Sequence, residues 1–172
     1  PDFHNDLISS SVSYSKIFGN HYFLPYVFYS RSNERLTADL NTKGVGFNNT
    51  YNIDQNNSVS YSSSFSRTNY NKVQSIEAEF PDNANGDVYT SSVRYNHTFL
   101  EKNLISSNIS YTRKKAKADY NAYEGTGFNL SYTRLLPFGI FKVDKTFQVN
   151  DFDEKDVSVH TNINRKDDIH TV

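Results

Sequence analysis

The sequence predicts an all-β fold over residues 1–172, an antiparallel transmembrane β-barrel of the bacterial outer-membrane type. Three observations lead there. Apolar and polar residues alternate with a period of two from Leu7 almost to the end of the chain, the spacing at which side chains leave opposite faces of a strand. The alternating segments run about ten to twelve residues, close to the roughly 9–11 that carry a tilted strand across a bilayer. Connections alternate between about four residues and about ten to eighteen, the rhythm of short turns on one side and long loops on the other.

The elements follow in order. In residues 7–17, Ile8, Val12 and Tyr14 share one parity and Ser9, Ser11, Ser13 and Ser15 the other, before a break at residues 18–21. Residues 22–31 (YFLPYVFYSR) are apolar on both parities until Ser30. A long polar stretch, 32–42, leads to 43–53, where Val45, Phe47, Tyr51 and Ile53 align around Asn49. The turn Asp54-Gln55-Asn56-Asn57 is rich in turn-forming side chains and precedes Val59, Tyr61 and Phe65, which alternate with serines. After a loop at about 70–87 come segments 88–99 and 104–113, joined tightly through Glu101-Lys102-Asn103. A basic loop at about 114–124 precedes 125–135, then a Leu136-Pro137-Phe138-Gly139 turn, then 140–149. Residues 150–167 are highly charged, and alternation resumes at 168–172. The expectation is eight complete strands and the start of a ninth.

The composition narrows the classes. Hydrophobic residues make up 36%, low for a packed soluble domain, yet thirteen Tyr and thirteen Phe are too many for a disordered chain. The net charge of -1 removes the electrostatic basis for a nucleic-acid binder. With no cysteine there is no disulfide framework and no thiolate nucleophile or ligand. No apolar run approaches the roughly 20 residues of a membrane helix. The polar start, Pro1 to Asp6, shows no signal peptide and reads as a chain cut from a longer precursor.

The apolar face is built mostly of Tyr and Phe rather than the Leu, Val and Ile of a packed core. Several sit near segment ends, among them Tyr14, Tyr22, Tyr89, Phe99, Tyr111 and Tyr132. A ring with a polar tip suits the boundary between lipid and water. The Ser, Thr and Asn face would line the barrel interior, with Arg67, Arg94 and the Lys142/Asp144 pair as its few charged candidates. Arg67 falls on the apolar parity. Single-chain bacterial barrels have even strand numbers, so a ninth segment implies a larger barrel of which strands are missing here. A soluble β-sandwich or barrel is the alternative, since periodicity alone does not say whether the apolar side meets protein or lipid.

Chemistry-bearing patterns are weak. No G-x-S-x-G elbow and no phosphate-binding loop is present, and the five histidines lack ligand spacing. The run Asp151, Asp153, Glu154 and Asp156 lacks the ligand order of a calcium loop and reads as solvated. The basic cluster Arg113, Lys114, Lys115 and Lys117 reads as a wet loop. Gly44, Gly46, Gly125, Gly127 and Gly139 fall at strand starts or turns, where a missing Cβ relieves crowding. A non-catalytic chain without cofactor or metal is expected.

The last third carries a family signal. Gly127-Phe128-Asn129-Leu130-Ser131-Tyr132-Thr133-Arg134 is followed by Leu135-Leu136-Pro137-Phe138-Gly139-Ile140, and later by Arg165-Lys166-Asp167-Asp168-Ile169-His170-Thr171-Val172. This stretch, about 124–172, resembles the C-terminal barrel domain of the surface lipoprotein assembly modifier family. The resemblance implies an outer-membrane barrel of about fourteen strands, commonly preceded by a periplasmic helical-repeat domain. It also implies a role in carrying lipoproteins to the surface of Gram-negative bacteria. Gly127, Tyr132, Arg134, Pro137, Gly139, Arg165, Asp167 and Asp168 carry over as architectural residues only. The partners it implies are outer-membrane lipid and a surface lipoprotein as passenger, with no nucleic acid, and the barrel itself is expected to be monomeric. The alternative function is a general diffusion porin or solute channel.

Overall fold

The computed structural model describes residues 5–34, 38–71, 85–116, 122–152 and 166–171, and every described element is a β-strand. The strands are β1 (Asn5–Ser13), β2 (Lys16–Phe18), β3 (His21–Glu34), β4 (Ala38–Asn52), β5 (Asn57–Asn71), β6 (Gly86–Phe99), β7 (Asn103–Ala116), β8 (Tyr123–Leu136), β9 (Gly139–Phe152) and β10 (Lys166–Thr171). They form one antiparallel sheet in the order β1-β3-β4-β5-β6-β7-β8-β9-β10, with β2 also paired to β3. Each strand from β3 onward lies beside its sequence neighbours, so the topology is a simple meander. Among the described residues the sheet is not closed: β1 and β10 each pair on one side only.

All eight expected full segments and the beginning of the ninth are strands, with two differences. Most are longer than the alternation indicated, at 14 or 15 residues. Much of the expected loops 32–42 and 114–124 belongs to strands, because Asn, Thr and Lys at these ends break the hydrophobic pattern without breaking backbone pairing. Leu136 and Gly139 likewise pair with each other and leave only Pro137 and Phe138 in the turn.

The other difference is a break in the first segment between β1 and β2. The register does not change across it: Ser13 pairs Tyr26 and Lys16 pairs Phe23. The break faces Pro25, whose carbonyl accepts from the Tyr14 amide at 3.1 Å but which has no N–H to return. One missing donor therefore divides a continuous strand in two.

Register fixes the shape of the sheet. Val27, Val45, Phe65, Tyr89, Arg113, Glu124 and Asp151 stand opposite one another in a single row across seven strands. Measured from this row, the short turns recede steadily. Strand β3 begins six positions away at His21, β5 begins eight away at Asn57, β6 ends ten away at Phe99, and β8 ends twelve away at Leu136. The stagger is two residues per hairpin, or one per strand.

Each turn is bonded to the next hairpin in the same manner. The carbonyl of Asn20 accepts from the Asn52 amide (2.9 Å), that of Asn56 from Thr98 (2.8 Å), and that of Lys102 from Leu135 (2.8 Å). The staircase of turns is thus stitched by a bond repeated at three successive steps.

The turns follow from their residues. Gly19 takes a left-handed φ of 57° in the two-residue turn between β2 and β3. At Asp54 the side chain accepts from the Asn56 amide (2.7 Å) and from Asn57 Nδ2 (2.9 and 2.8 Å), closing a side-chain-capped turn. Leu100 and Glu101, neither of them glycine, hold φ of 49° and 56° between β6 and β7.

Candidate functional site

Paired residues in an antiparallel ladder share a face, so the register assigns every side chain. One face carries Phe23, Val27, Phe47, Val45, Tyr61, Phe65, Tyr89, Val93, Ile109, Phe128, Leu130 and Val143, and is called here the aromatic face. The other carries the hydroxyl and amide side chains of Thr50, Ser60, Ser62, Ser92, Asn96, Ser106, Asn108, Ser110, Asn129, Ser131, Thr146 and Asn150.

The exposures of the two faces are inverted relative to a water-soluble sheet. Phe65 is 46% exposed and Ile109 62%, while on the polar face Ser131 is 8% and Asn150 7%. The only apolar side chain buried among the described residues is Ala122, and no large side chain is fully enclosed. A soluble domain derives most of its stability from burying apolar area. Here that area is exposed, and several of the polar groups are the shielded ones.

The polar face is held by hydrogen bonds between neighbouring strands. Thr42 meets Thr68 (3.0 Å), Thr50 meets Ser60 (2.9 Å) and Ser62 meets Ser92 (2.7 Å). Ser106 donates to Asn96 Oδ1 (2.7 Å), Asn96 Nδ2 to Ser58 (3.3 Å) and Asn129 Nδ2 to Thr146 (2.8 Å). The Asn108 Oδ1 is buried with no partner from the protein. Arg94 and the Lys142/Asp144 pair, bonded at 2.8 Å, lie on this face as their parity indicated, whereas Arg67 lies on the aromatic face.

Of the aromatic rings on the polar face, which include Tyr22, Tyr123 and Phe152, two stand over glycines, and parity gave no reason to single them out. Tyr26 and Phe28 sit opposite Gly46 and Gly44, and a Cβ at either glycine would meet the ring at 2.6 Å. The rings fill the space the glycines vacate, and the centroids lie 6.1 Å apart. The signal was present as two halves, a β3 that is apolar on both parities and a Gly-x-Gly in the next strand, but only pairing joins them.

The aromatic face is bounded at both ends. At the turn end, His21 lies between Phe18 (5.3 Å) and Tyr51 (4.8 Å), and His97 stacks on Phe99 (5.8 Å) while bonding Asn57 (2.8 Å). Tyr95 donates to the same Asn57 oxygen at 2.5 Å. At the other end stand charged pairs, Arg67 with Asp87 at 2.7 and 2.9 Å and Arg113 with Glu124 at 3.3 Å. Lys145 departs from the pattern: it lies within the aromatic face, its ammonium 4.9 Å from the Phe147 ring centre.

The architectural residues expected from the sequence do not converge on one site. Tyr132 donates to Asn103 Oδ1 (2.8 Å) and meets Phe141 edge-on. Arg134 sits opposite Asn103 and Phe141, beside the Pro137–Phe138 turn that Gly139 closes. Gly127 is on the polar face, where a Cβ would approach Ser110 Oγ at 2.6 Å. Asp167 and Asp168 pair with Asn150 and Val149 toward the opposite end of β9, and Arg165 lies outside the described residues.

These features define a class, an all-β protein built as one staggered antiparallel meander with a polar shielded face and an aromatic exposed one. Residues 3–166 match the family described as a protein of unknown function (DUF2860), and the chain belongs to that family. No curated protein and no solved structure matches it.

Proposed function

We propose that this chain forms the wall of an outer-membrane β-barrel, aromatic face to lipid and hydroxyl face to a water-filled interior, and that it passes or presents polar cargo without catalysis. The inversion of the two faces carries this reading. Exposed Phe, Tyr, Val and Ile become favourable when the surrounding medium is hydrocarbon, and the bonded Ser, Thr and Asn face becomes a wet lining.

The stagger supports the same reading. One residue of about 3.4 Å per strand spacing of about 4.8 Å, with the turns in one plane, tilts the strands by about 35°. That lies at the lower edge of the roughly 35–45° of transmembrane barrels. In lipid the edges of β1 and β10 require partners, because unpaired backbone groups there cost several kcal/mol each. The two edge strands run in the same direction, so direct joining makes a parallel seam, and an all-antiparallel wall needs a further strand between them.

Between cargo classes, the bonded hydroxyl and amide lining favours small polar solutes in transit. The second reading, passage of surface lipoproteins, rests on the Gly127–Arg134 strand and the Pro137–Gly139 turn that resemble the assembly-modifier barrels. Refolding into detergent micelles, followed by gel migration with and without heating and by planar-bilayer recording, tests the proposal. A heat-modifiable band and steady conductance are expected. A chain that folds in plain buffer as a soluble monomer overturns it. Heat-modifiability without conductance shifts the balance to the lipoprotein reading.

A further inference from the structure

We propose that the loop-side end of the aromatic face binds a phosphorylated, multiply acylated glycolipid of the outer leaflet, with phosphate at Lys43 and Arg67 and acyl chains in the hollows beside them; this rests on the membrane reading above. Lys43 and Arg67 are directly opposed across β4 and β5, and both are exposed. Beneath them Val27, Val45 and Phe65 border a hollow of about 440 Å³, with Phe28 and Gly44 completing its lining. A second hollow of about 160 Å³ shares Val27 and opens toward β1 past Ser10 and Val12. Two adjoining depressions suit a lipid with more than one chain.

The charges favour an anion. Lys43 has no acidic partner among the described residues, and its cross-strand neighbour Tyr29 donates its hydroxyl to Asn41 Oδ1 at 2.8 Å. Arg67 spends its Nε and Nη2 on Asp87, and its Nη1 is not used in that pair. Two cations against one carboxylate leave a net positive spot at the edge of an apolar surface, the arrangement that fits a phosphate on an acyl-bearing headgroup. The longer connections, residues 72–85, 117–122 and 153–165, leave the sheet from this end, which in transmembrane barrels is the outer side.

The test is native mass spectrometry of the folded protein in mild detergent, offered diphosphoryl lipid A, phosphatidylglycerol, phosphatidylcholine or inorganic phosphate. Lipid A is expected to be retained in preference to both phospholipids, and free phosphate not at all. Lys43→Gln should lower that retention about fivefold. Asp87→Asn, which frees Arg67, should raise it, and Lys102→Gln in the opposite turn should leave it unchanged. Equal retention of phosphatidylcholine, a preference for phosphatidylglycerol, or indifference to Lys43→Gln each overturns the site while leaving the barrel intact. A chain that does not fold in detergent overturns the membrane reading and this site with it.

Discussion

The ring of Phe28 occupies the space that a side chain on Gly44 would need. A Cβ built there falls 2.6 Å from Cε1 and Cζ of the ring and equally near the Phe65 backbone carbonyl. The ring can turn aside but the carbonyl cannot, so Gly44→Ala forces the β4–β5 pairing apart. A loss of about 1–3 kcal/mol is expected, read from the urea midpoint of the folded protein in detergent. Phe28→Ala in the same chain should recover only part of it.

The left-handed turn residues offer a change of opposite sign. Leu100, 81% exposed, holds φ of 49° with a branched side chain that gains nothing in return. Asn tolerates this conformation far better than Leu. Leu100→Asn should raise stability by about 0.5–1 kcal/mol, seen as a higher unfolding midpoint with an unchanged slope.

The Asp54 turn gives a pH dependence. Hydrogen bonds from the Asn57 side chain and the Asn56 amide hold the Asp54 carboxyl below its ordinary value. A depressed folded-state pKa contributes stability that is fully present above the unfolded value, about 3.9, and is lost as pH falls through the lower folded one. The β4–β5 hairpin should therefore weaken only below about pH 4. Asp54→Asn should flatten this portion of the stability profile between about pH 2 and 5 while leaving the rest unchanged.

Most of the architecture was legible because a strand writes its two faces directly into alternate residues. The Ser62/Val93 kind of contrast, hydroxyl against aliphatic, placed eight segments and the opening of a ninth. What escaped is what pairing creates. Strand ends such as Ala38–Thr42 carry their apolar residues, Ala38 and Leu40, on the opposite parity to Val45 and Phe47, yet backbone pairing extends through them. The break opposite Pro25 depends on which strand lies beside it. Tyr26 over Gly46, Arg67 against Asp87 and the Asn57 oxygen shared by Tyr95 and His97 join residues about 20 to 40 apart in the chain. The Leu136-Pro137-Phe138-Gly139 turn was legible and is a turn, while the other described architectural residues lie on β8 (Gly127, Tyr132, Arg134) and β10 (Asp167, Asp168).

Two adjacent residues of β6 separate the faces cleanly. Ser92 belongs to the polar face, opposite Ser62, and Val93 to the aromatic face, opposite Tyr61. Val93→Arg should cost about 2–4 kcal/mol in lipid vesicles, near the value for a cation at the midplane of a barrel wall. Ser92→Arg should fold nearly as well as the parent and, on the channel function proposed above, shift selectivity toward anions.

The central claim is that the aromatic face meets lipid, and the same two positions test it most directly. The chain has no cysteine, so Ser92→Cys or Val93→Cys each carries a single fluorescent label without further change. In refolded vesicles, the label at 93 should be quenched by lipids brominated along their chains and ignored by aqueous iodide. The label at 92 should respond the other way. Iodide quenching of both labels, with no effect of brominated lipid on either, contradicts the account.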